Sequence, residues 1–257
     1  MTGKVYLVGA GPGAADLITV RGASLLARAG IVFHDALVQP EMLALAPQAK
    51  LVAVGKRCRR ISTDQRFINR ALVEAAARHE VVVRLKGGDP MLFGRAQEEI
   101  SALAAAGVQC EVVPGVTAAL AAGAQVGVSL TRRGVSRSVV FVTPRIAEGE
   151  DPSGWAGAVA SADTAALYMG AGQAQAIAHA LLGQGLSPST PVVLVANASL
   201  PDARQVRTAL GALSRTGPEA AAGPALLMIG EVFAGLPAEA VDTVADGPHL
   251  PPLAASR

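Results

Sequence analysis

Three stretches of the 257-residue chain set glycine beside chargeable residues at spacings that suit ligand chemistry. The first, Gly9-Ala10-Gly11-Pro12-Gly13-Ala14, follows an apolar run and fits G-x-G-x-x-A, with Asp35 lying 21 residues past Ala14. Spacing alone suits a dinucleotide loop with Asp35 on the ribose hydroxyls. Pro12 argues against that use. A pyrophosphate needs free N–H groups at a helix start, and proline lacks the N–H and restricts the residue before it. The loop is expected to line a pocket; a ligand-free turn is the plainer alternative, since Gly and Pro are ordinary turn residues.

The second stretch is Arg84-Leu85-Lys86-Gly87-Gly88-Asp89-Pro90-Met91-Leu92-Phe93-Gly94-Arg95, after a strong strand signal. Paired glycines let backbone approach a ligand closely, and Asp89 can accept hydrogen bonds from a cationic amine. Glu98 and Glu99 follow, where acidic residues favour a helix start whatever else they do. The third is Val113-Pro114-Gly115-Val116-Thr117-Ala118-Ala119, another strand–turn–helix corner. Beyond it, Arg132 and Arg133 supply planar guanidinium groups suited to carboxylates. Each has a duller rival. Asp35 suits a strand-end cap, Lys56 a solvated loop, Arg133 a structural ion pair and Met169 a core position.

The elements that must hold these residues alternate. Short apolar runs at Val5–Val8, Ile31–Phe33, Leu51–Val54, Val81–Leu85, Glu111–Val113, Val139–Val142, Ala165–Met169, Val192–Val195 and Ala225–Ile229 read as strands. Helical patterns lie between them, including Asp64–Arg78, entered by the capping-box form Ser62-x-x-Gln65. Alternation of this kind predicts an α/β fold with mostly parallel sheets covered by helices. The polar, basic stretch Gly127–Arg137 suggests two α/β domains, residues 1–127 and 128–235, with 236–257 a loose tail.

Composition narrows the partners. A net charge of +2 and 3% aromatic residues give neither bulk attraction to nucleic acid nor a base-stacking surface. Local basic clusters, Lys56 to Arg60 and Arg132 to Arg145, fit a small polyanion better. The uncharged runs Val112–Thr131 and Thr164–Pro201 are broken by Gly, Pro, Ser and Asn, which favours buried soluble elements over membrane spans. No secretory signal is recognisable. Cys58 and Cys110 have no metal spacing and read as free cytoplasmic thiols; no metal site is expected.

Taken in order, V-G-A-G-P-G, H-D-A-L-V, V-G-K-R, R-L-K-G-G-D-P-x-x-F-G-R-x-x-E-E, V-P-G-V-T-A, L-T-x-R and Y-M-G resemble the tetrapyrrole methylase family, and within it the members that C-methylate uroporphyrinogen III. The likeness covers roughly residues 4–233. It implies two α/β domains with S-adenosylmethionine in the cleft between them, commonly in a homodimer, and methylation of uroporphyrinogen III at carbons 2 and 7. By matched positions, the cofactor would contact Pro12, Gly87, Gly88, Asp89, Leu92, Thr117, Ala118, Met169, Ala198 and Ala225. Asp35 matches the general base, Lys56 the proton donor and Arg95 a further catalytic position, while Glu98 and Arg133 match substrate-handling groups. The chain departs from the family at Ala96-Gln97, where Gly-Gly is usual, and at His34, Arg132 and Ala198.

Overall fold

The computed structural model describes residues 3–55, 65–145, 154–216 and 223–236. It divides into two compact units, the first ending at Thr117 and the second starting at Ala118. Helix α5 (Ala118–Val126) therefore goes with the second unit, where it packs on strand β10 (Ala225–Gly230), rather than with the first as a boundary after residue 127 has it.

The first unit is one five-stranded sheet ordered β3-β2-β4-β1-β5. Its strands are β1 (Lys4–Gly9), β2 (Ile31–His34), β3 (Lys50–Ala53), β4 (Val81–Lys86) and β5 (Cys110–Val113). All four pairings are parallel, as the strand–helix alternation predicts. Side chains alternate across the sheet, so each strand feeds two cores. Val8, Val32, Val83 and Leu85 meet α1 (Val20–Arg28) and α2 (Pro40–Leu43) through Leu25, Leu26 and Met42. Val5, Leu7, Phe33 and Val82 meet α3 (Gln65–Ala76) and α4 (Ala96–Ala105) through Ile68, Leu72 and Leu103. Strands β1 and β4 are neighbours, yet the helices that follow them cover opposite faces. Their carboxyl ends thus flank a topological switch point, where open α/β sheets take ligands.

The second unit has a five-stranded sheet ordered β6-β7-β10-β8-β9. Strands β6 (Val139–Val142), β7 (Thr164–Tyr168) and β8 (Pro191–Ala196) run one way, with α6 (Gly154–Ala160) and α7 (Ala174–Gly183) crossing between them. This much follows the alternation. The expectation of a mostly parallel sheet fails here, because the pairings of β10 with β7 and β8, and of β8 with β9 (Arg204–Ala209), are antiparallel. No helix crosses between β8 and β9. A short loop returns the chain instead, and such loops reverse direction. Strand β9, Arg-Gln-Val-Arg-Thr-Ala, has no apolar run to betray it and pairs on one edge only. The core on one face joins Val192, Leu194, Leu227 and Ile229 to Ile177, Leu181, Leu210 and Leu213. The reading of 236–257 as a tail, and the capping Ser62, lie outside the described residues, residue 236 apart.

Cys110, opening β5, is free and half-buried. Burial, aided by the Glu99 carboxylate, pushes its thiol pKa up to about 11 from 9.0. Thiolate is the reactive form, so the shift removes reactivity at neutral pH. With Cys58 replaced by serine, alkylation of Cys110 by iodoacetamide at pH 8 should run about a hundredfold slower than at an ordinary cysteine, and should rise with pH to beyond 10. Mass spectrometry of timed aliquots measures this.

Candidate functional site

Backbone first closes the switch point. Gly11 and Gly88 form a two-bond bridge, each N–H donating to the other's carbonyl at 3.2 and 2.7 Å. Ala10 N–H donates to the Lys86 carbonyl at 2.7 Å. The loops after β1 and β4 are thereby one unit. Gly11 and Gly88 hold φ of 78° and 66°, a region that glycine enters without steric cost. A Cβ at Gly9 would lie 2.6 Å from Gly115 Cα and 2.7 Å from the Gly88 carbonyl oxygen, so three loops touch through glycine backbone.

Asp89 locks this arrangement. Its Oδ1 accepts from Met91 N–H at 2.8 Å and its Oδ2 from Gly115 N–H at 2.9 Å. The carboxylate expected to meet a ligand amine thus also ties the β4 loop to the β5 loop. Leu92 N–H donates to the Asp89 carbonyl at 3.3 Å. Pro12, Gly87 and Leu92 are half-buried here. A Cβ at Gly88 would meet nothing within 4 Å, which leaves its backbone open to approach by a ligand.

The dinucleotide reading loses its remaining support. After Ala14 the chain makes a short 3-10 turn, Ala15–Leu17, and α1 begins only at Val20, with Thr19 as its N-cap. No long helix starts at the glycine loop to offer its N–H groups, and the Gly11 N–H is already spent on Gly88. These groups suit a nucleoside and a cationic amino acid better than a polyphosphate.

Beneath the loops lies a cluster of four charges. Arg84 and Lys86, two apart on β4, share the sheet face covered by α4 and are each 3% exposed. Glu99 on α4 is wholly buried between them. Arg84 Nε donates to Glu99 Oε1 and Lys86 Nζ to Glu99 Oε2, both at 2.9 Å. Arg84 Nη2 donates to Asp35 Oδ1 at 2.5 Å, at the end of β2. Two cations and two anions balance. Burial works against the Arg84 charge, but Asp35 and Glu99 outweigh it and hold its pKa above the usual value. Burial, with the Arg84 charge alongside, holds the Lys86 ammonium below the usual lysine range despite Glu99. Removing one partner from such a buried group costs about 3–5 kcal/mol, because a charge is left uncompensated.

Arg95 and Glu98 stand apart from that cluster. Both are exposed and paired to each other through two bonds of 2.6 and 2.7 Å. The bidentate pair draws the Glu98 pKa below the ordinary carboxylate range. Arg95 and Phe93 adopt left-handed φ of 55° and 53°, backbone strain of a kind that gathers at ligand sites. Lys56 lies outside the described residues.

In the second unit a further set of expected contact residues shares strand ends. Tyr168 Oη accepts from Ala119 N–H at 3.1 Å, joining the end of β7 to the start of α5 beside Ala118. Met169 follows at φ 58°, and Asn197 and Ser199, either side of buried Ala198, have φ of 52° and 73°. Ala225 pairs with Ala196. Three of the five non-glycine residues with positive φ among those described therefore cluster at these strand ends. Arg133 is exposed in the turn closed by Arg132 and Ser136. Thr117 is buried at the end of the first unit.

The structure thus gathers Pro12, Gly87, Gly88, Asp89 and Leu92 around one bridge, with Asp35 held by Arg84. It gathers Ala118, Met169, Ala198 and Ala225 at the strand ends of the second unit. Sequence reasoning missed Arg84, Lys86 and Glu99 as a group. The available signal was a pair of cations in an otherwise apolar central strand, and a glutamate on the apolar stripe of α4 between Ala96 and Leu103. Among the described residues no cluster of three or more His, Cys, Asp or Glu could hold a metal, and no helix is long and apolar enough to cross a membrane.

A two-unit α/β chain with glycine loops at a switch point and no phosphate cradle defines a class, and the family comparison agrees. Residues 4–214 match the tetrapyrrole (corrin/porphyrin) methylases, and the chain belongs to that family. It is 44% identical over 235 residues to uroporphyrinogen-III C-methyltransferase of Pseudomonas aeruginosa, covering 90% of this chain and 95% of that one. It is 43% identical over 232 residues to siroheme synthase 1 of Klebsiella pneumoniae, of which it spans 49%, about half the length. Uroporphyrin-III C-methyl transferase from Thermus thermophilus, solved with S-adenyl homocysteine, is similar at a TM-score of 0.79 and 41% identity, over 90% of this chain and 98% of that one.

The glycine contacts are directly testable. A Cβ at Gly115 would sit 2.8 Å from Gly9 Cα and closer still to the Gly88 carbonyl oxygen, both rigid backbone. Gly115→Ala should lower stability by about 1–3 kcal/mol, the usual cost of forced overpacking, and weaken S-adenosylhomocysteine binding. Urea unfolding and calorimetric titration measure the two effects.

Proposed function

We propose that this chain transfers methyl groups from S-adenosylmethionine to carbons 2 and 7 of uroporphyrinogen III, giving precorrin-2 and S-adenosylhomocysteine. The observation that carries the reading is the glycine bridge locked by Asp89: backbone and one carboxylate at a switch point, without a phosphate cradle. The 44% identity to the Pseudomonas enzyme supports it. The bound donor supplies an activated methyl sulfonium, whose sulfur keeps the bonding pair as the new carbon–carbon bond forms. The protein's work is then alignment and proton handling.

For alignment, the open backbone of Gly87 and Gly88 and the Asp89 carboxylate receive the amino-acid end of the donor. Thr117, Ala118, Met169, Ala198 and Ala225 line the adenosyl part. Orientation of this kind contributes about 7–11 kcal/mol in favourable cases. Methylation leaves a cationic pyrrole ring, and loss of a proton restores its conjugation. Asp35 takes that proton, so one proton leaves for each methyl gained; Lys56 is the matched proton donor and only relocates a proton within the ring system, with no net gain or loss. Arg95 stays protonated, since guanidinium does so in proteins, and stabilises charge; Arg133 binds the substrate's carboxylates, and Glu98 takes part in substrate handling through its grip on Arg95. The same reading has the chain acting as a cytoplasmic homodimer, which light scattering tests.

The first experiment is turnover of uroporphyrinogen III against later precorrins, following both products. Asp35→Asn should lower kcat about 10²–10⁴-fold, the usual range for general acid–base groups, with cofactor affinity little changed. Wild-type turnover in that variant removes Asp35 from the chemistry.

The second separates donor from dinucleotide. A ligand at about 100 times its Kd stabilises the folded state by about 2.7 kcal/mol, and each kcal/mol moves the melting midpoint about 2–4 °C at this size. S-adenosylhomocysteine should raise the midpoint by several degrees and NAD should leave it unmoved. The opposite result rejects the proposal.

A further inference from the structure

The proton-transfer reading gives Asp35 a task but none to the three charges behind it. Their geometry is more specific than charge balance requires. Arg84 divides one edge of its plane between two carboxylates: Nε on Glu99 at 2.9 Å, Nη2 on Asp35 at 2.5 Å. Glu99 cannot turn away, because Lys86 holds its other oxygen at 2.9 Å. Burial then fixes the set. The side chains of Arg84, Lys86 and Glu99 are 4%, 3% and 0% exposed, while that of Asp35 is 29% exposed.

Only Asp35 therefore reaches solvent, and it stands at the carboxyl end of β2 beside the glycine bridge. A planar guanidinium gripped by a second carboxylate aims its remaining N–H in one direction. One ammonium, a point charge on a flexible stem, fixes distance alone. The chain of restraint runs Lys86, Glu99, Arg84, Asp35, from the most enclosed carboxylate outward to the reactive one. Arg84 is not itself a proton carrier, since its guanidinium stays charged.

Resting on the reading of Asp35 as the base, we propose that Arg84 is a positioning residue for proton removal, held in turn by Glu99. Arg84 pins Oδ1 through one bond while Glu99 holds its plane, and Oδ2 is the oxygen offered to the substrate. A purely structural cluster would need only the balance of charge, which lysine at position 84 retains.

Arg84→Lys keeps that balance and removes the second rigidly placed donor. Its kcat on uroporphyrinogen III should fall about 10²-fold, the scale of an ångström misplacement. The substrate KM and the S-adenosylhomocysteine Kd should stay within about twofold, since positioning acts on the transition state and not on binding. The decisive arm is a double-mutant cycle. Added to Asp35→Asn, Arg84→Lys should cost nothing more, because nothing is left to position. Wild-type kcat in Arg84→Lys, or an equal further loss in both backgrounds, overturns the proposal. Should Arg84→Lys fail to fold, Asp35→Glu carries the test without touching the buried groups. It keeps a carboxylate but moves it one methylene along the guanidinium plane. A kcat as low as that of Asp35→Asn supports the proposal, and one near wild type overturns it. Full activity in Asp35→Asn is a separate failure, that of the base reading itself.

Discussion

Glu99 carries two ion pairs in a place where water cannot reach it, and the carboxyl edge of the first sheet is organised around that fact. An ionised carboxylate out of water is tolerated only when its lone pairs are met. Meeting them draws Arg84 and Lys86 inward from β4, at alternate positions on one sheet face. With both cations anchored to α4, the strand end, the Gly87–Arg95 loop and the helix after it become one frame. The glycine bridge to β1 and the Asp89 bond to Gly115 complete it. Three loops from three strands are held by contacts that involve no ligand.

The two units handle their expected contact residues differently. In the first, hydrogen bonds and ion pairs fix the loops, and among the described residues left-handed non-glycine backbone is confined to Phe93 and Arg95 on the exposed lip. In the second, the strand-end positions are held by unusual backbone at Met169, Asn197 and Ser199. Asn197 tolerates left-handed φ readily, and it is anchored by a 2.8 Å bond from its N–H to Pro224 and another from its side chain to Asp202. Met169 and Ser199 have no such intrinsic tolerance, so their conformation depends on neighbours.

Nine of the ten strands among the described residues were legible because each is a short apolar run between turn residues. The tenth, β9, was not, since Arg204, Arg207 and Thr208 leave no such run and an edge strand needs none. Parallel pairing was legible where a helix connects strands and misread where a short loop does. At the site, glycines and Asp89 were visible as a motif, for glycine spacing is itself the signal. The partnership of Arg84 with Glu99 was hidden by expectation: charges are ordinarily solvated, and Glu98-Glu99 opens a helix, where acids need no further reason. Of the two, Glu98 stays at the surface, in its pair with Arg95, and Glu99 alone is buried.

Gly9, Gly88 and Gly115 come from three loops and touch one another's main chains. A methyl group on either Gly9 or Gly115 would collide with backbone on both of the other two loops, and backbone cannot step aside as a side chain can. Their freedom to diverge is therefore joint. A substitution at Gly9 or Gly115 would demand compensating shifts in two distant segments of sequence at once. Single replacements would have to pass through an intermediate with a splayed sheet edge. The crossing of these loops is in that sense a fixed point, whereas exposed side chains such as those of Gln97 and Met91 meet no such steric bar.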